Sequence, residues 1–251
     1  MQASLDNLRV VLVAPRNPLN IGAAARAMSN FGATELRVVN PYEVAFRDAK
    51  SAVGASPVLA ACKEFGTVAK AVADCAVVVG TTAIRHRQLQ QPVKLLAQGA
   101  RSMRARLLRS PVAILFGSEK WGLSNDSLSH CHWVLHIPTR EEHQSINLGQ
   151  AVAVCLYELV RAEGRRATAA TPEARRWEKP ATVGEVERIA TTLLAALRSS
   201  EYINPKTGQL AEEKLRRMIR RMTFPEADAE VFLGMLHKIL WKLDQKEKTK
   251  P

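Results

Sequence analysis

Cysteine is scarce in this chain: four residues in 251 (Cys62, Cys75, Cys131, Cys155), too few and too scattered for a disulfide framework. Long apolar runs are missing. Runs such as residues 10–15 and 112–116 are far short of the roughly 20 a membrane helix needs. The N-terminus opens with Gln2, Ser4 and Asp6 and lacks the basic start and apolar stretch of a secretory signal, so the expectation is a soluble, cytoplasmic protein. No G-x-G-x-x-G follows a strand pattern, and residues 117–122 (GSEKWG) lack the Gly-Lys-Ser/Thr ending of a P-loop. Dinucleotide dehydrogenases and P-loop NTPases are thereby excluded. Histidines and cysteines gather at His130, Cys131, His132, His136 and His143. No Cys-x-x-Cys pair accompanies them, and the stretch reads as a strand, so no metal site is expected. Acidic residues are absent from one whole segment: residues 85–109 carry seven basic groups and no carboxylate.

That segment supplies more than half of a formal net charge of +12. Charge so concentrated is either one solvated helix face or a surface for a polyanion such as a nucleic acid. The rest of the composition, 47% hydrophobic and 24% charged, is an ordinary globular balance with enough apolar material for a sizeable core.

Strand patterns occur at residues 9–14, 35–39, 75–80, 112–116 and 133–137, almost continuously apolar, as in strands covered on both faces. Ala- and Leu-rich helical patterns at 21–31, 93–108 and 148–162 lie between them. Strands alternating with helices predict an α/β fold with a mostly parallel sheet. Composition turns polar and Pro-rich around 161–180, and helical patterns follow. The organisation expected is therefore a main domain over 1–164, a basic linker over 165–181 and a small all-α extension over 182–251. In that extension, Thr182 with Glu185 has capping-box spacing. One helix is expected to bury Leu215, Met218, Ile219 and Met222. The last is expected to bury Val231, Phe232, Met235, Leu236, Ile239 and Leu243.

Three segments carry chemistry that plain packing does not call for. The first, after the first strand, runs from Asn20 through Gly22, three alanines and Arg26 to Gly32. Asn20 is suited to cap a helix, the small residues permit close approach, and Arg26 is suited to a bidentate grip on phosphate. The second is Gly117-Ser118-Glu119-Lys120-Trp121-Gly122-Leu123 at the carboxyl end of the fourth strand, where open α/β sheets bind ligands. The third is Ile137-Pro138, a polar loop, and Ser145-Ile146-Asn147-Leu148, with Ser145 placed to cap the following helix.

In this order the three segments resemble the motifs of the SpoU branch of the SPOUT RNA methyltransferases, over roughly residues 8–162. Asn20, Gly22, Arg26 and Gly32 match the first motif. Gly117, Glu119, Gly122 and Leu123 match the second, and Pro138, Ser145, Asn147 and Leu148 the third. Gly80 to Ala83, together with Lys214-Leu215-Arg216-Arg217 and Leu233-Gly234, look like the TrmJ type within that family. The resemblance implies a sheet whose C-terminal part is threaded into a deep trefoil knot, a cofactor, S-adenosylmethionine, and a homodimer with active sites at the subunit interface. It implies cofactor binding by Thr81, Thr82, Ala83, Gly117, Gly122, Ile137, Gln144, Ser145 and Ile146, although Gln144 departs from the small hydroxyl residue the family pattern favours. The implied catalytic group is Arg26 with Asn20, Glu119, Ser145 and Asn147.

The implied reaction is 2′-O-methylation of a pyrimidine ribose in the tRNA anticodon loop, at nucleotide position 32. Arg85, Arg87, Arg104, Arg216, Arg217, Arg220 and Arg221 are the expected RNA contacts. Another tRNA or ribosomal RNA nucleotide, or a non-catalytic knotted RNA-binding protein, are the alternatives the sequence leaves open.

Overall fold

The computed structural model describes residues 5–51, 57–83, 89–140, 142, 145–161, 179–203 and 208–248. The chain divides into two compact units, residues 1–169 and 170–251.

The first unit is built on seven strands: β1 (Leu8–Val13), β2 (Glu35–Val39), β3 (Lys63–Phe65), β4 (Val77–Thr82), β5 (Val93–Leu95), β6 (Val112–Phe116) and β7 (Trp133–His136). They form one sheet in the order β3-β2-β1-β6-β4-β7-β5, every pairing parallel. The helices are α1 (Pro18–Phe31), α2 (Glu43–Ser51), α3 (Pro57–Ala60), α4 (Val68–Ala71), α5 (Leu96–Leu107), α6 (Asn125–Ser129) and α7 (Leu148–Arg161). The five strands read from the sequence are all present. β4 runs two residues later than its apolar pattern, because Thr81 and Thr82 continue the pairing with β7 through register Thr82↔His136. β3 and β5 carry too few apolar residues to stand out, and β5 occupies the start of a stretch expected to be helical.

All of β6 is buried, and Val10, Val11 and Leu12 of β1 are fully covered. The core joins these strands to Ile21, Ala24 and Met28 of α1, Met103 of α5, and Val152, Cys155 and Leu156 of α7. Burial on both faces explains the unbroken apolar runs, since a parallel sheet has helices on each side. Helix α1 ends at Gly32, whose φ of 77° lies in the left-handed region and lets its N–H reach back to the carbonyls of Met28 and Ser29. α1 and α7 approach closely at Gly149, where a Cβ would lie 2.6 Å from the Cβ of Ala23. Gly22, expected with its neighbouring alanines to permit close approach, has no atom within 4 Å of its Cβ position.

The second unit holds α8 (Val183–Ser199), α9 (Gly208–Arg221) and α10 (Glu226–Lys248). Thr182 and Glu185 form the anticipated capping box. A bridge between Pro180 and Pro225 ties the approach to α8 to the approach to α10. Ile189, Ala190, Ile219, Ala229 and Leu236 make its core. The sequence reading of α10 needs correction. Leu236 is buried, but Val231, Met235 and Ile239 are 59%, 57% and 52% exposed, because the inward stripe runs through Ala229, Phe232 and Leu236 instead. Met218 of α9 and Met222, just after it, are likewise exposed.

On β2, Arg37 is a buried cation, 5% exposed. It donates to both carboxylate oxygens of Asp74 at 2.5 and 2.8 Å, and to the carbonyl of Ala71 at 2.6 Å. Burial raises the Asp74 carboxyl pKa, but the guanidinium outweighs it and holds the value at about 2. A depressed carboxyl contributes stability above its unfolded value of 3.8 and loses it as the pH falls towards 2. Asp74→Asn should therefore cost about 1–3 kcal/mol at neutral pH. The deficit should shrink in thermal melts taken below about pH 4. A deficit independent of pH over that window would contradict the assignment.

Candidate active site

Because every strand pairing is parallel, the carboxyl ends of neighbouring strands open on one edge of the sheet. β1, β6, β4 and β7 are consecutive there. Each is followed at that edge by a segment singled out above: Asn20 lies beyond β1, Gly117 beyond β6, Ala83 beyond β4 and Ile137 beyond β7. The register Gly80↔Leu115 sets Thr81 beside Phe116, and Thr82↔His136 sets Ala83 beside Ile137. Thr81 Oγ1 donates to the carbonyl of Leu115 at 2.9 Å, and Thr82 Oγ1 to that of Ala83 at 3.1 Å.

The loop after β6 is tight. A Cβ on Gly117 would lie 2.0 Å from the carbonyl carbon of Gly122, so no other residue fits. Gly122, at φ 68°, turns the chain back, and its N–H meets the Ser118 carbonyl at 2.8 Å. This turn aims Glu119 at the start of α1. Its carboxylate accepts the backbone N–H groups of Arg16 and Asn17, each at 3.1 Å, and Nδ2 of Asn20 at 3.0 Å. α1 has no acidic residue in its own first turn, so Glu119 supplies the negative charge its N-terminus favours. Burial raises the Glu119 carboxyl pKa, but the donors outweigh it and hold the group below the usual range.

Asn20 does not cap α1. Asn17 does, its side chain accepting from the N–H of Leu19 with Pro18 following, and Asn20 sits one turn inside with its amide buried. Oδ1 of Asn20 accepts from Nδ2 of Asn147 at 2.6 Å. Oδ1 of Asn147 in turn accepts the N–H groups of Gly149 and Gln150 at 2.8 and 3.3 Å. Asn147, rather than Ser145, thus caps α7. The ends of this string fix its direction. A carboxylate only accepts and a backbone N–H only donates, so both amides between them have one satisfying orientation. Glu119, Asn20 and Asn147 are thereby joined across three separate segments of the chain.

Other anticipated residues lie at the same edge. Ser145 is exposed and Ile146 half-buried, immediately before Asn147. Ile137 follows β7 between two buried polar atoms, Nδ1 of His136 and Oγ1 of Thr139, which have no hydrogen-bond partner among the described residues. Sequence reasoning missed these two, and also the exposed indole of Trp121, with the Lys120 ammonium 4.8 Å from its ring centroid. Arg26 is exposed and stands apart from the Glu119–Asn20–Asn147 string; among the described residues it makes no hydrogen bond or ion pair. Gln144, Arg85 and Arg87 lie outside the described residues.

The remaining arginines divide. Arg104 donates to the carbonyl of Glu158 at 2.8 Å and so serves the contact between α5 and α7. Arg216 and Arg220 converge on Glu187, at 2.7 and 3.0 Å, and Arg220 is 5% exposed, which turns it into the helical core and away from any RNA. Arg217 lies 3.7 Å from Glu213, and Arg221 is exposed.

Exchanging Asn20 for Asp would replace the donor facing Glu119 with a second carboxylate. One of the two pKa values must then rise, so the variant should regain stability as the pH falls, opposite in sign to the wild-type slope. Thermal melts should show Asn20→Asp about 2 kcal/mol less stable than wild type at pH 8, and nearer to it at pH 5.5. An equal deficit at both pH values would show that Glu119 and Asn20 do not face each other.

Residues 7–157 match the SpoU rRNA Methylase family, a span that holds the sheet and every member of the hydrogen-bonded string. The chain is 35% identical over 237 residues to the tRNA (cytidine/uridine-2′-O-)-methyltransferase TrmJ of Cronobacter sakazakii, covering 94% of this chain and 96% of that protein. It is 36% identical over 238 residues to the TrmJ of Yersinia enterocolitica, covering 94% and 92%. Among solved structures it resembles the crystal structure of TrmJ from Z. mobilis ZM4, with a TM-score of 0.78 and 32% identity, over 92% of this chain and 98% of that one. With a match across the whole sheet-bearing unit and full-length relatives on this scale, the chain belongs to the SpoU methylase family.

Proposed function

We propose that this protein transfers a methyl group from S-adenosylmethionine to a ribose 2′-hydroxyl of tRNA, at a pyrimidine of the anticodon loop. The observation that carries the reading is the Glu119–Asn20–Asn147 string, which draws the three motif segments to the carboxyl edge of β1, β6, β4 and β7. Relatives named as tRNA (cytidine/uridine-2′-O-)-methyltransferases support the same chemistry.

The residues at this edge fit such a donor. Gly117 offers bare backbone, and buried polar atoms of His136 and Thr139 stand without protein partners among the described residues. Thr81, Thr82, Ala83, Gly117, Gly122, Ile137, Gln144, Ser145 and Ile146 are the proposed contacts. When bound, the sulfonium supplies an activated methyl group. The protein's part is alignment, since holding the hydroxyl oxygen, methyl carbon and sulfur in line lowers the barrier through positioning. A string of fixed amides keeps the loop after β6 and the start of α7 in register with α1, so the donor loops need no rearrangement. Arg26, charged at any working pH, is proposed to hold the phosphate beside the target ribose and polarise the hydroxyl.

The chain is also proposed to be threaded into a trefoil knot around these loops and to work as a homodimer in the cytoplasm. Support for the dimer comes from Leu19, Val154 and Tyr157, apolar yet 78%, 39% and 53% exposed on α1 and α7. Arg26 shares the exposed side of α1 with Leu19 and Ala23, in keeping with a site completed by a second subunit. No helix among the described residues is long and apolar enough to cross a membrane. The basic segment 85–109 and Arg221 are proposed to grip phosphates, with Trp121 available to stack on an unpaired base.

Incubation with labelled S-adenosylmethionine and a tRNA pool, followed by mass mapping, should place the label on a pyrimidine 2′-oxygen of the anticodon loop. Arg26→Ala and Arg26→Lys should both lose about 100-fold or more in turnover, because an ammonium lacks the planar fork. Label on a base, label only outside the anticodon loop, or full turnover by Arg26→Lys would each contradict part of the reading.

A further inference from the structure

The exposed side of α10 has a pattern that packing within its own unit does not explain. Asp228 and Val231 lie seven and four residues before Met235; Ile239 and Lys242 lie four and seven after it. At 3.6 residues per turn these five positions fall within about 80° of the helix circumference. All five are exposed, and the three apolar members average more than half their surface in water. The inward stripe, through Ala229, Phe232 and Leu236, is centred about 90° away around the helix and packs into the core of the unit. Three adjacent exposed apolar side chains on one helix face mark an interface.

We infer that α10 pairs antiparallel with α10 of a second copy of this chain, along this stripe, with Met235 at the two-fold axis. The apolar members read the same in both directions about Met235, and the outer pair is opposite in charge. In the antiparallel pair, Val231 of each copy meets Ile239 of the other. Asp228 meets Lys242, and neither of these has an ion-pair partner among the described residues. Met235 meets its own equivalent, as an isologous contact requires. A parallel pair would set Asp228 against Asp228 and Lys242 against Lys242, which like-charge repulsion disfavours. Antiparallel alignment also sets opposite ends of the two helix dipoles beside each other.

Five side chains fall short of the roughly 800 Å² per partner that a free-standing interface buries. The pairing therefore acts between copies already held together, where effective concentration does the rest. To that extent it rests on the homodimer proposed above.

The full-length chain tests it in a Cys62→Ser background, the other cysteines being buried. Met235→Cys should form a covalent dimer with a short bismaleimide at least tenfold more efficiently than His237→Cys, which is exposed on another side of α10. Adding Asp228→Lys or Lys242→Asp alone should lower the yield several-fold, and the two together should restore it. Light scattering on the same samples gives the mass. A mass of one chain overturns the inference together with the homodimer. A mass of two chains with no preferred cross-link at residue 235 overturns the helix pairing alone. Failure of the double reversal to restore the yield, or a contact of α10 with RNA or another part of the chain at this stripe, overturns the antiparallel register.

Discussion

One carboxylate, Glu119, meets the first turn of α1, and the arrangement of the candidate site depends on that contact. Glu119 satisfies two backbone donors ahead of the helix and one side-chain donor within it. From there the hydrogen bonds run through Asn20 and Asn147 to the amides that open α7. Each member satisfies its neighbour's polar atoms, so removing one leaves a partly buried group without a partner, which costs more than a single hydrogen bond returns. This ties three loops, distant in sequence, to a single geometry. The glycines serve the same end: Gly117 allows the loop after β6 to double back, and Gly149 brings α7 against α1.

Much of the first unit was legible because burial on both faces leaves a plain signature. Five strands and the three major helices of the sheet follow from apolar runs alternating with Ala- and Leu-rich stretches. β3 and β5 were illegible for the converse reason: Glu64, Lys63 and Lys94 leave no apolar pattern in strands of three residues. The motif residues were visible as residue types, but their roles were not. Asn17 and Asn20 are equally good caps by composition, and only Pro18 at the first helical position decides for Asn17. Asn20 is then freed to face Glu119. Ser145 and Asn147 present the same ambiguity before α7, decided by the two N–H groups that Asn147 accepts.

Charge was less legible than apolar pattern. The sequence shows how many arginines surround Leu215 and Ile219 but not that Glu187, on the preceding helix α8, collects Arg216 and Arg220. An arginine count therefore overstates the surface open to RNA. The α10 stripe shows the same gap for hydrophobics. Helical periodicity allows two adjacent apolar faces, and which one turns inward is set by the partner helix α8. The face left over, symmetric about Met235, is the feature of the second unit that its own core does not use.

Calorimetric titration with the demethylated product, S-adenosylhomocysteine, tests most directly whether the converging loops form a donor site. Wild type should bind it at one molecule per chain. Asn20→Ala, which cuts the string without adding charge, should bind at least tenfold more weakly while remaining folded by circular dichroism. Absence of heat with the wild type, or equal affinity in both proteins, would contradict the account.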